Sequence, residues 1–371
     1  STYTYLAGRT MEEVFGGERE GCYLYSRHLN PSASYLGQAL ARLENTEAAQ
    51  VTASGMGAVS AVLMQLCDAG DHIVSSRTIY GGTYAFMKHF LPRFKISTDF
   101  VDVNNLEAIR AAITPKTKVL YCEGLSNPLL EVADIPALAQ IAKEHNLTFV
   151  VDNTFTPMIF SAKEMGADIV IHSLTKFING ASDTVAGAVC GNKEFIHSLI
   201  DVNHGAAMLL GPTMDSLRAA GVLKNMHTLH VRMKQHSQNA NYLANAFQDL
   251  GLRVIYPGLT NHPQHKLFAE MGNPEFGFGG IMTLDVGDMS LAYRLLEAMQ
   301  NSNIGYLAVS LGYYKTLFSV SGASTSSEIP EDEQKNMGLS PGLIRFSIGL
   351  DHNIERTCEK MKLCMKSVGI L

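Results

Sequence analysis

From about residue 48 to residue 191, short β-branched runs alternate with stretches of ten or so residues in which apolar positions recur at helical spacing. The runs predict strands at His72 to Ser75, Ile96 to Val101, Val119 to Glu123, Thr148 to Asp152, Ile169 to His172 and Val185 to Cys190. Helices are predicted between them, at Gly57 to Cys67, Leu106 to Ala112 and Ile135 to His145. The last of these carries Ile135, Leu138, Ala139 and Ala142 on one face. Such alternation is the pattern of an α/β domain, a parallel sheet covered by helices.

Beyond it, Ser216 to Asp249 has few helix breakers and predicts long helices, after which Pro257, Pro263 and Pro274 punctuate a loop-rich stretch. Strands at Gly280 to Val286 and Gly342 to Leu350, with helices at Ser290 to Met299 and Ile354 to Val368, predict a smaller α+β unit. The expected division is a large domain over 46–225 and a C-terminal domain over 226–371. The Ser- and acid-rich segment between Gly322 and Met337 fits either a mobile cover or a plain surface excursion.

Composition narrows the function classes. Of 371 residues, 46% are hydrophobic and only 17% charged, below the roughly 25% of an average soluble domain, so much surface should be buried between layers or subunits. Lys and Arg number 29 against 35 Asp and Glu, a net charge of −6. That balance offers a nucleic-acid backbone no general attraction. Cys22, Cys67, Cys122, Cys190, Cys358 and Cys364 are scattered without metal-ligand spacing and read as free buried thiols. No apolar run reaches the roughly 18 to 20 residues that cross a bilayer, and Ser1 to Gly8 has no leader pattern. A soluble, cytoplasmic protein is expected, with neither membrane nor nucleic acid as partner.

The first chemical signal is Thr52-Ala53-Ser54-Gly55-Met56-Gly57, between a strand and the apolar helix that ends at Cys67. Small residues at a helix start let backbone N–H groups face an anion, so a phosphate site is one reading. A tight turn with Ser54 as helix cap is the other. A dinucleotide fingerprint does not fit, because Ser60 stands at the third glycine position and the following strand ends in Ser75-Ser76 rather than an acid.

The second signal is the pair of segments Phe149-Val150-Val151-Asp152 and Ile169-Val170-Ile171-His172-Ser173-Leu174-Thr175-Lys176. Each sets polar residues at the carboxyl end of a buried strand, where open α/β sheets bind ligands. Asp152 and Lys176 could simply pair with each other. Alternatively, an amine to form a Schiff base, a carboxylate to keep a pyridine nitrogen protonated and a separate phosphate turn are the parts pyridoxal phosphate requires. Tyr80-Gly81-Gly82 adds an aromatic side chain able to lie on the cofactor ring.

With these motifs the chain resembles the pyridoxal phosphate enzymes of cysteine and methionine metabolism, the trans-sulfuration enzymes, within the aspartate-aminotransferase-like fold type I group. The resemblance runs from Tyr25-Ser26-Arg27 and Asn30-Pro31 through Ser54-Gly55-Met56, Tyr80-Gly81-Gly82, Glu123 with Asn127-Pro128, Asp152-Asn153-Thr154 and His172 to Lys176, to Ser310-Leu311-Gly312 and Arg345. It implies a mostly parallel seven-stranded sheet with a smaller C-terminal domain. By the same resemblance, Lys176 would hold the cofactor and shuttle protons, and Asp152 would bind the pyridine nitrogen. Tyr80 would stack on the ring and assist the leaving group, and Asn127 would lie near the phenolic oxygen. Gly55, Met56, Ser173 and Thr175 would hold the phosphate, while Ser310 and Arg345 would bind the substrate carboxylate. Residues 1–45 would form an arm whose Tyr25 and Arg27 reach a neighbouring subunit's cofactor, so a homotetramer built from dimers is expected.

Arg345 interrupts the apolar run Leu343-Ile344-Arg345-Phe346-Ser347-Ile348, and a charge there calls for a partner such as an amino-acid carboxylate. Gly312-Tyr313-Tyr314 and Gly322-Ala323-Ser324-Thr325-Ser326-Ser327-Glu328 resemble the plant-type branch of the methionine-cleaving members. Members acting on cystathionine often carry an acid at the position of Val309, where an apolar residue gives a distal amine no partner. The implied reaction is γ-elimination of L-methionine; cystathionine γ-lyase or γ-synthase chemistry and O-acylhomoserine sulfhydrylation are the alternatives. Gly82 stands where well-studied bacterial members have Cys. Gly180-Ala181-Ser182-Asp183 lacks the usual His, and Tyr313-Tyr314-Lys315 replaces a small-and-acidic pattern.

Overall fold

The computed structural model describes every residue except 16–18, 20, 325–331, 333, 335 and 336. Most of the 322–337 segment, and with it the Thr325 to Glu328 part of the motif that begins at Gly322, therefore lies outside the described residues. The large sheet contains β1 (Ala48–Thr52), β2 (His72–Ser76), β3 (Ser97–Val101), β4 (Thr117–Glu123), β5 (Thr148–Asp152), β6 (Ile169–His172) and β7 (Gly187–Gly191). Its order is β1-β7-β6-β5-β4-β2-β3. The strands from β6 to β3 run parallel, and β7 is antiparallel to both of its neighbours.

Alternation along the inner strands explains why both faces are covered. Leu120, Cys122, Phe149, Val151 and Val170 enter one apolar cluster with the helices Pro31–Leu43, Ile135–Glu144 and Ser216–Met226. Val119, Tyr121, Val150, Ile169 and Ile171 enter the other, under the helices Gly55–Leu66 and Lys193–Leu199. Side chains of Asn30, Ser54, Asp134 and Asn192 cap the starts of four of these helices, satisfying backbone donors the helix cannot.

Two expected strand starts move inward. Ile96 closes a tight turn, its N–H donating to the Leu91 carbonyl at 3.3 Å after Lys95 adopts φ 62°. Val185 and Ala186 precede β7 because the Ala186 backbone is bonded to the Thr175 side chain, accepting at 3.1 Å and donating at 2.9 Å.

The smaller sheet has the order β10-β11-β12-β9-β8, comprising β8 (Arg253–Ile255), β9 (Ile281–Asp285), β10 (Tyr306–Leu307), β11 (Leu317–Val320) and β12 (Leu343–Ser347). Periodicity along the chain points to β9 and β12 and gives no sign of the three shorter strands. The core of this sheet is filled from the helices Leu229–Asp249, Met289–Asn301 and Ile354–Ser367. The long Leu229–Asp249 helix serves both cores: Leu229 and Met233 pack with the large sheet, while Leu243 and Phe247 pack with the small one. Cys22 is exposed, contrary to the expectation that all the thiols are buried; the other five are buried and all six are free.

Candidate active site

A cleft of about 420 Å³ opens at the carboxyl ends of β4, β5 and β6 and is lined from the other side by Val309, Ser310 and Leu311 and by Arg345 of the small sheet. It brings together Gly55, Met56, Tyr80, Asn127, Asp152, Ser173, Thr175, Lys176, Ser310 and Arg345. Tyr25 and Arg27 stay outside it: both are exposed, and Arg27 Nη1 donates to the Met208 carbonyl at 3.3 Å.

Asp152 is the last residue of β5. Its Oδ1 accepts from the Thr154 N–H at 3.0 Å and from the Thr154 hydroxyl at 2.5 Å, and Oδ2 faces the Tyr121 hydroxyl at 3.5 Å. Burial raises its proton affinity, opposed by the Thr154 bonds and by His172. A half-buried carboxylate of this kind is suited to a cationic heterocyclic N–H.

Lys176 does not spend its amine on Asp152. Its Nζ donates to the Ser310 hydroxyl at 2.9 Å. Burial, reinforced by the charge of Arg345, pulls the amine down to about 8 from its ordinary 10.5. A lysine so shifted has a nucleophilic fraction near neutral pH.

At the Ser54 turn the structure shows the helix-cap reading. Its hydroxyl caps the helix by accepting from the Gly57 N–H at 2.9 Å. Gly55 comes so close to Ser173 that an added Cβ would lie 2.8 Å from the Ser173 Cβ. Only glycine lets the helix start and the Ser173-to-Lys176 turn approach this closely, and an anion placed there would meet the N–H end of the helix. The Thr175 hydroxyl is held by Ala186 and would have to turn from that carbonyl to reach a phosphate.

Arg345, on the central strand β12, is 3% exposed. Its Nη1 donates to the Asn127 Oδ1 at 3.0 Å and its Nη2 to the Ser310 carbonyl at 2.8 Å, while among the described residues Nε has no partner. Burial brings it down to about 10. Among the described residues no carboxylate neutralises it directly, and an incoming carboxylate would. Ser310 adopts φ 92°, a strained backbone that aims its carbonyl at Arg345 while its hydroxyl meets Lys176. Tyr80 is 46% exposed at the mouth. An added Cβ on Gly82 would sit 2.6 Å from Tyr80 Cε1, so the glycine makes room for the ring.

Glu123 has no role in the sequence-based reading. It ends β4 in register with Asp152, is 7% exposed, and accepts from the Tyr80 N–H at 2.6 Å and the Asn127 N–H at 3.1 Å. The signal for it is present in the chain, since it is an acid closing a buried strand as Asp152 is. Val309 lines the cleft but is 64% exposed. An ammonium there would keep water, so the expected burial penalty against a distal amine shrinks to a missing attraction.

The family model for Cys/Met metabolism PLP-dependent enzymes matches residues 1–358. The chain is 46% identical to a methionine gamma-lyase of Arabidopsis thaliana, over 96% of this chain and 82% of the relative. It is 37% identical to a cystathionine gamma-lyase of Bacillus subtilis, over 92% and 88%. Among solved structures, a Campylobacter jejuni protein described as a putative O-acetylhomoserine (thiol)-lyase, with N'-pyridoxyl-lysine-5'-monophosphate, superposes with a TM-score of 0.91 at 29% identity, over 99% of this chain and 93% of the other.

Proposed function

Because the chain belongs to the Cys/Met metabolism PLP-dependent enzyme family, we propose that it converts L-methionine and water to 2-oxobutanoate, methanethiol and ammonia by γ-elimination. One observation carries the choice of substrate. The charged side chains lining the cleft among the described residues, Glu123, Asp152, Lys176 and Arg345, all have tasks toward cofactor, scaffold or substrate carboxylate, and Leu125, Phe155, Val185, Val309 and Leu311 supply apolar wall. A neutral thioether suits that wall, and among these residues no side chain remains for the second amino-acid end of cystathionine.

Pyridoxal phosphate supplies an electron sink that acidifies the substrate's α- and β-hydrogens. Lys176 would hold the cofactor's aldehyde carbon and, once freed as an amine, move protons; its lowered proton affinity suits that work near neutral pH. Asp152 would keep the heterocyclic nitrogen protonated, and Gly55, Met56, Ser173 and Thr175 would hold the phosphate. Tyr80 would cover the ring and deliver a proton to the departing sulfur. Arg345 and Ser310 would clamp the substrate carboxylate. The exposed positions of Tyr25 and Arg27 support their service to a neighbouring subunit in a homotetramer.

Purified enzyme loaded with pyridoxal phosphate should release methanethiol and 2-oxobutanoate from methionine faster than it cleaves cystathionine or makes homocysteine from O-acetylhomoserine and sulfide. Cleavage of cystathionine without methanethiol release from methionine would overturn the assignment in favour of its cystathionine-cleaving relatives.

A further inference from the structure

Glu123 is a buried carboxylate beside the half-buried Asp152, and the reaction leaves it without work. Its donors come from two separate segments that line the cleft, the Tyr80 N–H on Oε1 at 2.6 Å and the Asn127 N–H on Oε2 at 3.1 Å. From Asn127 the bonds continue without a break. The Asn127 Oδ1 accepts from Arg345 Nη1 at 3.0 Å, Arg345 Nη2 donates to the Ser310 carbonyl at 2.8 Å, and the Ser310 hydroxyl accepts from Lys176 at 2.9 Å. The series starts on a strand of the large sheet and reaches the central strand of the small one.

We propose that Glu123 is a positioning residue: each of its oxygens fixes one loop through a single backbone N–H, setting Tyr80 on one side and, on the other, Asn127 and through it the Arg345 guanidinium. Only the last link rests on the reading of Arg345 as the substrate-carboxylate site.

A carboxylate with an N–H on each oxygen is matched to two donors, and a carboxamide is not, because its NH2 meets one of the N–H groups donor to donor. The charged and titratable groups around Glu123 are Asp152 from β5, Tyr121 and Cys122 from its own strand, Tyr80 from the facing loop and Arg345 across Asn127. Burial and then Asp152 raise its proton affinity, and the two N–H bonds oppose them. Glu123 is therefore not a stabilising anion in the usual sense. The donor on each oxygen favours its ionised form and offsets part of the rise that burial and Asp152 cause.

The test is Glu123→Gln, with Glu123→Asp beside it in case the first variant does not fold, each loaded with pyridoxal phosphate. Amide hydrogen exchange is followed over residues 79–82 and 126–128, with the Leu229–Asp249 helix as internal reference. Exchange at Tyr80 or Asn127 should quicken at least tenfold while the reference helix is unchanged, and KM for methionine should rise at least tenfold, more than kcat falls. Wild-type exchange at both amides in the folded variants would overturn the clamp. Faster exchange with an unmoved KM would overturn the link to Arg345. The exchange result holds whichever amino acid the wild-type enzyme turns over, so a wrong substrate and a wrong clamp give different outcomes.

Discussion

In the interior behind the cleft, His172 Nε2 lies 2.6 Å from Glu44 Oε1, both side chains almost fully buried, and Asn153 donates to the same Glu44 oxygen at 3.1 Å. Glu44 caps the C-terminus of the Pro31–Leu43 helix, and His172 ends β6 directly before Ser173. The pair therefore ties an N-terminal helix to the turn that delivers Lys176. Among the described residues His172 Nδ1 and Glu44 Oε2 have no partner, so the His172 ring depends on the mutual bond and Glu44 on that bond and Asn153.

Breaking that pair from one side should be severe. Glu44→Leu strands the His172 ring and one N–H of the Asn153 amide, whose bonds to the Phe160 carbonyl and the Thr156 hydroxyl remain, a loss of about 3–5 kcal/mol. Urea unfolding of the cofactor-loaded variant should show a clearly lowered midpoint. Replacing both members, as Glu44→Leu with His172→Phe, should cost less than the two single changes summed, because the imidazole no longer stands unpaired and only one Asn153 N–H is left without its acceptor. A single variant as stable as the parent would refute this account.

Lys176 makes a pH prediction with a definite sign. Its burial, with Arg345 nearby, favours the uncharged amine, so the neutral form grows in as pH rises through about 8 instead of 10.5. Capture of pyridoxal phosphate by cofactor-free enzyme needs that neutral form. The rate of appearance of the visible absorption band should climb through pH of about 8 and level off above it. In Arg345→Leu the midpoint should move upward, because one of the two causes of the depression has gone. A rise that continues toward the ordinary lysine range in the parent enzyme would contradict the burial argument.

Arg345→Lys tests the fork geometry rather than the charge. A guanidinium can hold Asn127, the Ser310 carbonyl and a carboxylate at once, whereas an ammonium is a point donor. Losing a buried charged hydrogen bond to substrate is worth about 3 kcal/mol, roughly a hundredfold in kcat/KM. Steady-state kinetics on methionine should show most of it in KM. A change under about threefold would mean the substrate carboxylate binds elsewhere.

What could be read from the chain, and what could not, follows from how local each signal is. Asp152 and Lys176 end or follow strands whose apolar runs are continuous, and Arg345 stands out as a charge inside another, so a few neighbouring residues suffice. The strands β8, β10 and β11 are two to four residues long, and pairing with neighbours distant in sequence defines them more than their own composition does. The positive φ of Ser310 and the room Gly82 leaves for Tyr80 exist only because other segments arrive there. Glu123 escapes a sequence reading because its meaning lies in the two N–H groups it receives from segments on either side of it.

Val309 offers a gain-of-function test whose size the structure limits. An acid here would meet the distal ammonium of cystathionine, but at 64% exposure the pair stays in water and is worth about 0.2–1 kcal/mol. Val309→Glu should therefore raise kcat/KM for cystathionine by only about two- to fivefold at low salt. The gain should fade as ionic strength increases, since screening shortens the reach of an exposed charge. Stability should be nearly unchanged, because the new carboxylate remains hydrated. Measuring kcat/KM for cystathionine and methionine at low and high salt separates the alternatives. A salt-insensitive gain on the order of a hundredfold would mean that this position is enclosed when substrate is bound, and an undiminished preference for methionine at every salt concentration would move the specificity determinant to the apolar wall.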